Sequence, residues 1–435
     1  MIRRVGWSLA IFSLVFFAGA AKTPPTKSPN IVLIVIDTMR ADAMSPQNTP
    51  FLTSLASRAI IFTHAYSTHD FTPSSHFSIM TGLRDGLGSN DDRPENGLAY
   101  QLATNGYDTF AVAANNLIGT AQMPVHRAFK RFKQPGSIEG GTSVDAMADM
   151  TQIDMRLKMF RCNPTPHARA VLYYSAERLL PMFLAEMRDA KAPYFGFANL
   201  IDVHEPYIPD PSIYGPERSL PPNFDGDILN RKINAELANP QSITDPKRRA
   251  LIESQIRAVH FPRLLSADLS PEAIAIYHDR YNATVRAVDN TLRDFFGALE
   301  HERLLDNTIV IITSDHGESF GEAGFLTHML DDRGDYESTH HVPLLVVLPP
   351  KYAKKAARVD QPVSIADLAP TIYDLAGVDW SPLSQRYRDY AHSLAPSLAP
   401  ATRVGRVNLP QPAVQDAREA SAEREKAMRA LGYVQ

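Results

Sequence analysis

Three aspartates follow apolar segments that are widely separated along the chain. Asp37, Asp202 and Asp315 stand at or near the ends of such segments, and His204 and His316 lie beside two of them. A single Asp after a strand is often only a turn former or a helix cap. Carboxylates gathered without basic partners repel one another, however, and a divalent cation is the usual remedy. Mixed oxygen and imidazole ligands suit Zn, Mn or Ca, and the sequence does not choose among these metals.

The segment TPSSHFSIMTG, residues 72–82, contains a hydroxyl group that could act as a nucleophile. Thr72 before Pro73 has the form of an N-cap followed by proline in the first helical turn. Free backbone N–H groups and the positive helix end would then make an anion site at Thr72. A hydroxyl in such a place, when also coordinated to a metal, can lose its proton and attack sulfur or phosphorus. The alternative is that Thr72 is merely a helix cap.

These side chains require a scaffold that brings distant segments together. The chain has continuous apolar runs of the kind found in strands that are buried on both faces of a parallel sheet. The predicted strands are Ile31–Ile36, Thr109–Ala114, Tyr194–Leu200, Thr308–Ile312 and Val342–Leu348. Between the third and fourth strands, apolar residues from Tyr281 to Leu299 recur at spacings of three and four, which predicts an amphipathic helix. We therefore predict an α/β sandwich with a mainly parallel sheet, whose carboxyl edge carries the aspartates.

The composition excludes several classes of protein. The 435 residues include 44 basic and 48 acidic side chains, one cysteine and 44% hydrophobic residues. This balance leaves enough apolar surface for a core and gives no charge excess typical of a disordered or nucleic-acid-binding chain. One cysteine allows neither an internal disulfide nor a zinc ribbon. We therefore expect no nucleic acid as a partner.

The N-terminus has the pattern of a secretory signal. Arg3 and Arg4 precede an apolar run from Val5 to Ala18, and small residues follow as far as Ala20. The run is shorter than the roughly 20 residues that span a bilayer, although a retained anchor is the alternative. We predict a signal peptide over residues 1–20, no stable membrane anchor, and a secreted or periplasmic protein without disulfides.

The rest of the chain divides by composition. A spacer is predicted over residues 21–29 and a main domain over residues 30–358. Within that domain, residues from about 205 to 269 are rich in Pro, Asn, Arg and Lys, which indicates an insertion over the mouth of the site. Residues 359–435 are predicted to form a small C-terminal subdomain that ends in a charged helix, Ala413–Leu431.

Several sequence blocks resemble the sulfatase branch of the alkaline phosphatase superfamily, in the order that the family has them. The blocks are PNIVLIVIDTMRAD, TPFLTSLASRAIIFTHAYS, TPSSHFSIMTG, DVHEPY, TSDHGESFGEAG and YESTHHVPLLVVLP. The resemblance extends from Pro29 to Thr371. It implies an alkaline-phosphatase-like α/β/α sandwich with a mainly parallel mixed central sheet, and it makes residues 30–358 a sulfatase-like catalytic domain.

The resemblance implies that Thr72 is the nucleophile. Sulfatases read C/S-x-P-S-R followed by four residues and Thr-Gly. Counting back from Thr81-Gly82 places Thr72 at the first position and His76, a further catalytic residue by implication, at the arginine. Ser74 stands where proline is usual. Threonine cannot be oxidised to formylglycine, so formylglycine is not expected, whereas related phosphodiesterases and phosphoryl-group transferases use threonine.

The resemblance also implies a divalent metal ion. Asp37 matches the first metal ligand, although Thr38 stands where many sulfatases have a second aspartate. Asp315 and His316 match two further ligands, and Thr72 completes the set.

The remaining site residues follow from the same resemblance. His204 matches the histidine that contacts the transferred group, and His328 matches a lysine or histidine that neutralises or protonates the leaving oxygen. Asp202 either holds a second metal or orients His204, and the orienting role is favoured. Asn115 or Asn116 either binds a substrate oxygen or forms a turn.

Together these residues predict an exported, metal-dependent hydrolase that cleaves sulfate, phosphate or phosphonate esters through a covalent Thr72 intermediate. Its substrate would be a small-molecule, glycan or lipid ester. One alternative is a transferase of the phosphoethanolamine or phosphoglycerol type, which passes the intermediate to an alcohol. Another is a non-catalytic binding protein on a sulfatase scaffold.

Overall fold

A computed structural model of the chain describes residues 28–84, 94–115, 117–118, 128–134, 174–205, 207, 232, 235–236, 238–257, 269–322, 324–328, 336–349, 357–380 and 392–398. The predicted signal peptide, most of the predicted spacer and insertion, and the predicted terminal helix lie outside the described residues, as does Asn116.

The apolar runs of the sequence form strands, and the segments between them form helices on both sides. The strands are β1 (Asn30–Ile36), β2 (Ala59–Tyr66), β3 (Asp108–Ala113), β4 (Arg131–Lys133), β5 (Tyr194–Leu200), β6 (Thr308–Thr313), β7 (Ser319–Phe320), β8 (Leu326–Thr327), β9 (His341–Val347), β10 (Ala357–Val359) and β11 (Val363–Ser364). The helices are α1 (Pro50–Ser54), α2 (Thr72–Thr81), α3 (Leu98–Thr104), α4 (Ala176–Asp189), α5 (Pro246–Arg257), α6 (Pro271–His301), α7 (Tyr336–His340), α8 (Leu368–Ala376) and α9 (Ala395–Leu398). Single 3₁₀ turns cover Leu55–Ser57, Pro94–Asn96, Pro240–Ser242, Leu304–Asn307 and Ile365–Asp367.

Within the described ranges, nine of the strands form one sheet in the order β10-β2-β9-β6-β1-β5-β3-β4, with β11 also paired to β2. Strand β9 runs antiparallel to both β2 and β6, and the other pairings in this sheet are parallel. Strands β7 and β8 form a separate antiparallel hairpin. The mixed, mainly parallel sheet that the sequence predicts is therefore confirmed.

Alternate residues of the central strand β1 enter two separate cores, because successive side chains of a strand point to opposite faces. Val32, Ile34 and Ile36 pack in a core with residues of α4 and α6. The intervening residues pack in a second core with α2, α3 and α8. Both faces of the sheet are thus covered by helices, which confirms the α/β/α sandwich.

The described C-terminal segments belong to this same sandwich. Strands β10 and β11 pair with β2, and α8 packs in the same core as α2 and α3. The boundary predicted at residue 358 therefore does not separate two cores among the described residues, because these short strands complete the edge of the main sheet.

Helix α6 is longer than the periodic stretch from which it was predicted. It runs for 31 residues and begins after Ser270, whose hydroxyl accepts a hydrogen bond from the N–H of Ala273 at 3.1 Å. Tyr281, on its buried face, donates to the carbonyl of Thr38 at 3.0 Å and so ties the helix to the turn after β1. Among the helices that the structure describes, none is long and apolar enough to cross a membrane.

An ion-pair cluster fixes the short edge strand β4. Arg131 lies 2.9 Å from Oδ1 of Asp108 and 2.7 Å from Oε2 of Glu186. Burial raises the pKa of Asp108, but hydrogen bonds from Arg131 and Lys191 and the nearby positive charges together outweigh it, and the pKa lies below its ordinary value. Burial also raises the pKa of Glu186, but hydrogen bonds from Lys133 and Arg131 and the charges of these two residues together lower this pKa below its ordinary value. These pairs join β4 to β3 and α4.

Candidate active site

The carboxyl ends of three neighbouring strands meet beside Asp37. Strand β1 lies between β5 and β6, with Val35 opposite Thr313 in the register. The N–H of Asp37 donates to the carbonyl of Leu200 at 2.8 Å, so the pairing with β5 continues into the turn. Asp37 and Asp315 each lie two residues beyond the Val35–Thr313 pair and therefore emerge at the same edge of the sheet.

A buried group of three side chains could hold a divalent cation, and we call it the metal-binding group: Asp37, Asp315 and His316. All three are fully buried, and the ligand atoms that they offer lie within 4.8 Å of one another. Burial raises the pKa of Asp37, and the neighbouring charge of Asp315 raises it further. Among the described residues, no group donates a hydrogen bond to Oδ2 of Asp315. A bound divalent cation would neutralise both carboxylates and satisfy this oxygen.

Hydrogen bonds fix the orientation of these ligands. Oδ1 of Asp315 accepts from the N–H groups of Thr38, at 3.2 Å, and of His316, at 2.9 Å. Nδ1 of His316 lies 2.9 Å from the carbonyl oxygen of Gly317. Because a carbonyl oxygen only accepts, Nδ1 carries the proton and Nε2 presents a lone pair, which is the form of imidazole that binds a metal.

The turn that carries Asp37 has a strained backbone at Thr38. This β-branched residue has a left-handed φ of 59°, a conformation that costs of order 1–3 kcal/mol. The hydroxyl of Tyr281 binds the turn on both sides, since it donates to the carbonyl of Thr38 and accepts from the N–H of Arg40 at 2.8 Å. Helix α6 therefore holds the turn in the shape that directs the N–H of Thr38 to Asp315.

The hydroxyl of Thr72 lies beside this group. Its Oγ1 is 3.2 Å from Nε2 of His316 and 3.4 Å from Oδ1 of Asp37. The N-cap predicted at Thr72 is wrong by one residue, because Phe71 has the extended backbone of the N-cap and Thr72 is already the first helical residue, followed by Pro73. The Thr72 side chain makes no capping bond and is directed to the metal-binding group instead.

His76 lies one helical turn after Thr72 and is fully buried. Burial lowers its pKa to about 4, so the imidazole is neutral near pH 7. Its Nδ1 donates to the carbonyl oxygen of Thr72 at 2.9 Å and lies 3.4 Å from Oδ2 of Asp315. His76 therefore contacts Thr72 and Asp315 from inside the protein. The catalytic role that its match to the sulfatase arginine implies stays a prediction.

Two further histidines lie close to His316. The ring of His328 is 4.6 Å from the ring of His316 and 4.9 Å from the ring of His204, measured between centroids. Nδ1 of His204 donates to the carbonyl oxygen of Glu205 at 2.7 Å. His328 is buried, whereas His204 is half-buried. The structure thus brings together His204, His316 and His328, three histidines that the sequence analysis places in the site.

Asp202 and Asn115 have partners that the sequence does not predict. Oδ2 of Asp202 accepts from the N–H of Ala176, the first residue of α4, at 2.8 Å, and Asp202 is not part of the metal-binding group found among the described residues. Nδ2 of Asn115 donates to Oδ2 of Asp37 at 2.8 Å, and its Oδ1 accepts from the N–H of Leu117 at 2.9 Å. Asn115 therefore fixes the carboxylate of Asp37 and forms a turn, and its contact with a substrate oxygen stays a prediction.

Sequence reasoning assigned no role to Glu318. This fully buried carboxylate lies 3.1 Å from Nδ1 of His328. Its backbone carbonyl accepts from Arg40 at 3.0 Å, which links it to the turn after β1. The sequence does contain a signal for Glu318. This acidic residue stands two positions after His316, a predicted metal ligand, and no Lys or Arg lies near it in the sequence.

Comparisons with known proteins agree with this arrangement. The sulfatase family model matches residues 29–378. Over 399 residues the chain is 24% identical to the arylsulfatase of Clostridium perfringens, covering 80% of this chain and 75% of that protein. Over 418 residues it is 26% identical to the N-acetylglucosamine-6-O-sulfatase of Bacteroides thetaiotaomicron, covering 85% of this chain and 72% of that protein. The phosphonate monoester hydrolase of Agrobacterium radiobacter has a similar fold, with a TM-score of 0.54 at 21% identity over 85% of this chain and 77% of that one.

The family match includes every strand of the main sheet and each member of the metal-binding group. It also continues past residue 358, in keeping with the pairing of β11 to the main sheet. The chain therefore belongs to the sulfatase family, a family of ester hydrolases.

Proposed function

We propose that this protein hydrolyses phosphate or phosphonate esters, with sulfate esters as the second class, and that Thr72 is its nucleophile. The observation that carries the proposal is the position of one hydroxyl group. Oγ1 of Thr72 lies 3.2 Å from Nε2 of His316 and 3.4 Å from Oδ1 of Asp37. Both neighbours belong to the group that fits a divalent cation, Zn, Mn or Ca, together with Asp315.

The first step joins Thr72 to the substrate. When bound, the cation lowers the pKa of a neighbouring hydroxyl and offsets negative charge on the ester oxygens. The hydroxyl of Thr72 first loses its proton to solvent, and its oxygen then attacks the phosphorus or sulfur atom opposite the leaving oxygen. A bond from Oγ1 to that atom forms as the bond to the leaving oxygen breaks. His328 gives a proton to the leaving oxygen, and protonated His204 donates a hydrogen bond to a non-bridging oxygen.

The second step releases the product. Water attacks the central atom of the Thr72 ester, and His328, which has lost its proton, accepts one from the water. The bond to Oγ1 breaks in the same step and leaves Oγ1 deprotonated for the next cycle. Threonine carries a single oxygen on Cβ, so the intermediate is not released by collapse onto carbon, as an oxidised cysteine with two oxygens would allow. The second displacement must therefore occur at the same atom as the first, which is why we place esters of phosphorus before sulfate esters.

The test is turnover of aryl esters by purified protein with Zn, Mn or Ca supplied in turn. The panel contains a phosphate monoester, a phosphate diester, a phosphonate monoester and a sulfate. Thr72→Ala is expected to lose at least about 10³-fold in kcat, because the nucleophile is removed, whereas Thr72→Ser keeps a hydroxyl and should retain most of the activity. Mass spectrometry of the denatured parent should find the transferred group on the peptide that contains Thr72.

Two outcomes would contradict the proposal. Equal turnover by Thr72→Ala and the parent would remove Thr72 from the chemistry. Absence of turnover with every ester and every metal would favour a non-catalytic binding protein on this scaffold. Adding ethanolamine or glycerol to the reaction separates hydrolysis from transfer, because a transferase would yield the alcohol ester as product.

We also propose that the protein is exported through its N-terminal signal. Support comes only from the sequence pattern of residues 1–20, which lie outside the described residues. N-terminal sequencing of protein recovered from the periplasm or medium is expected to begin at Ala21. Recovery of the full chain in the membrane fraction would instead indicate a retained anchor.

A further inference from the structure

Glu318 contacts the one histidine of the site that is proposed to exchange a proton with the leaving oxygen. Its Oε1 and Oε2 lie 3.1 and 3.3 Å from Nδ1 of His328, and its side chain is fully buried. We infer that Glu318 is a positioning residue, which fixes the ring of His328 with its proton on Nδ1 and its Nε2 toward the leaving oxygen. This inference rests on the proposed function, in which His328 acts on that oxygen.

The backbone holds Glu318 in place on both sides. Its N–H donates to the carbonyl of Ser338 at 2.9 Å, and its own carbonyl accepts from Arg40 at 3.0 Å. The preceding residue, Gly317, approaches Ser338 so closely that a Cβ atom at this position would collide with the Ser338 carbonyl oxygen. The carboxylate is therefore a fixed acceptor, to which the ring of His328 must adapt.

The ring of His328 lies against two other imidazoles. The interplanar angle is 41° with His316 and 72° with His204. These neighbours limit the tilt of the ring, but a half-turn about the Cβ–Cγ bond leaves its outline almost unchanged. That half-turn exchanges Nδ1 with Cδ2 and Nε2 with Cε1, so it would present carbon to the leaving oxygen. The bond to Glu318 selects the orientation that keeps nitrogen there.

The carboxylate also fixes the protons of His328. An ionised carboxylate only accepts hydrogen bonds, so Nδ1 remains protonated throughout the reaction. In the first step the proton on Nε2 moves to the leaving oxygen as its bond to phosphorus or sulfur breaks. In the second step Nε2 takes a proton from water. Glu318 is not part of the group that could hold the cation, and it acts on the reaction only through His328.

The experiment compares kcat for a series of aryl phosphonate monoesters whose phenols differ in acidity, with the divalent ion at saturation. A poor leaving group needs the proton from His328, whereas 4-nitrophenolate leaves without it. Glu318→Ala is expected to lose about 10²-fold with the least acidic phenol and less than about threefold with 4-nitrophenol. Glu318→Gln should regain at least about tenfold with the poor leaving group, because its amide oxygen still accepts from Nδ1.

A double mutant separates positioning from a general structural effect. In a His328→Ala background, Glu318→Ala should change kcat by less than about twofold, since the residue through which Glu318 acts is already gone. Glu337→Gln is the matched control: it removes a carboxylate that pairs with another histidine, His341, at 3.0 Å, and any loss should be the same for every phenol. Equal losses of Glu318→Ala across the phenols, or additive losses in the double mutant, would overturn the inference.

A spectroscopic readout keeps this inference distinct from the proposed function. Long-range ¹H–¹⁵N correlation spectra report which ring nitrogen of His328 carries the proton, and His328→Gln assigns the signals. The parent should have Nδ1 protonated, and Glu318→Ala should lose that preference. An unchanged His328 tautomer in Glu318→Ala would refute the positioning role, even if loss of activity in Thr72→Ala supported the nucleophile. A changed tautomer with a fully active Thr72→Ala variant would leave the positioning contact intact and refute only the proposed chemistry.

Discussion

Replacing Asp315 by Asn should stabilise the metal-free protein and abolish its response to metal. Asp37 and Asp315 are both fully buried, and their ligand oxygens lie within 4.8 Å of each other. Without a cation the two carboxylates repel. An Asn at position 315 removes one charge and keeps an oxygen that can accept from the N–H groups of Thr38 and His316. Its amide N–H can also donate to Nε2 of His316, which carries a lone pair.

The size of the effect follows from the separation. Two unit charges 4.8 Å apart repel by about 3.5 kcal/mol at an effective dielectric constant of about 20. Protonation relieves part of this repulsion, because the pKa of Asp37 is raised. We expect Asp315→Asn to raise the free energy of unfolding in chelator by about 1–3 kcal/mol. A divalent ion at 100 times its Kd should stabilise the parent by about 2.7 kcal/mol and the variant hardly at all.

Urea denaturation at pH 8 measures both the stability without metal and the stabilisation by metal. The first is measured in chelator, and the second across a titration of Mn, Ca or Zn. Asp202→Asn is the matched control, because Asp202 also ends a strand at this edge but bonds to the N–H of Ala176 outside the metal-binding group. The control should keep the full metal response. A loss of stability in Asp315→Asn under chelator would refute the repulsion argument, and a retained metal response would refute the ligand assignment.

Three further predictions concern packing, charge and ligand orientation. Gly317→Ala should lower the free energy of unfolding by about 1–3 kcal/mol, because the added Cβ would crowd the carbonyl oxygen of Ser338. Gly297→Ala, whose Cβ would have no atom within 4 Å, should raise the free energy of unfolding by about 0.5–1 kcal/mol. Urea denaturation compares the two variants, and equal shifts would contradict the crowding. Arg131→Gln should lower the free energy of unfolding by about 1 kcal/mol at pH 7. Its partners Asp108 and Glu186 have lowered pKa values, so the stabilisation is present above their ordinary pKa values of 3.8 and 4.5 and is lost as the pH falls through the lower folded values. Denaturation that gave the same loss at pH 7 and at about pH 2.5 would refute this. Asn115→Ala should weaken metal binding by about 10–100-fold, because it releases a carboxylate oxygen of Asp37; calorimetric titration measures this, and an unchanged Kd would show that the bond does not orient the ligand.

The strands that carry the site were predictable because they are buried on both faces. Strands β1, β5 and β6 are buried along their whole length and mostly apolar, so their ends could be placed within one or two residues, and the aspartates after them could be assigned to one edge. Strand β2 was missed because it includes exposed polar residues near its end, such as His64. Strands β10 and β11 have only three and two residues and carry almost no periodic signal. The reversed direction of β9 is a property of pairing that its own composition does not encode.

The grouping of Asp37, Asp315 and His316 could be predicted from the sequence, whereas the residues that surround and orient this group were harder to predict. The start of α2 was misplaced because capping depends on the extended backbone of Phe71, an apolar residue that does not signal an N-cap. The burial of His76 depends on how α2 packs against the sheet, which the residue type does not reveal. The pairing of Glu318 with His328 joins positions ten residues apart across the β7–β8 hairpin and follows no helical or strand period.

The central position of β1 has a consequence for the time at which the site can form during synthesis. Thr38 and Asp315, which share a hydrogen bond at the edge of the sheet, are 277 positions apart in the chain. At about 5–20 residues per second, a ribosome takes about 14–55 s to make the intervening segment. Asp37 therefore exists for that interval without Asp315 and His316, and a nascent chain shorter than about 315 residues has no complete cation site. Uptake of the proposed cation would thus be a late event in biogenesis, and it would report that β6 has taken its place beside β1.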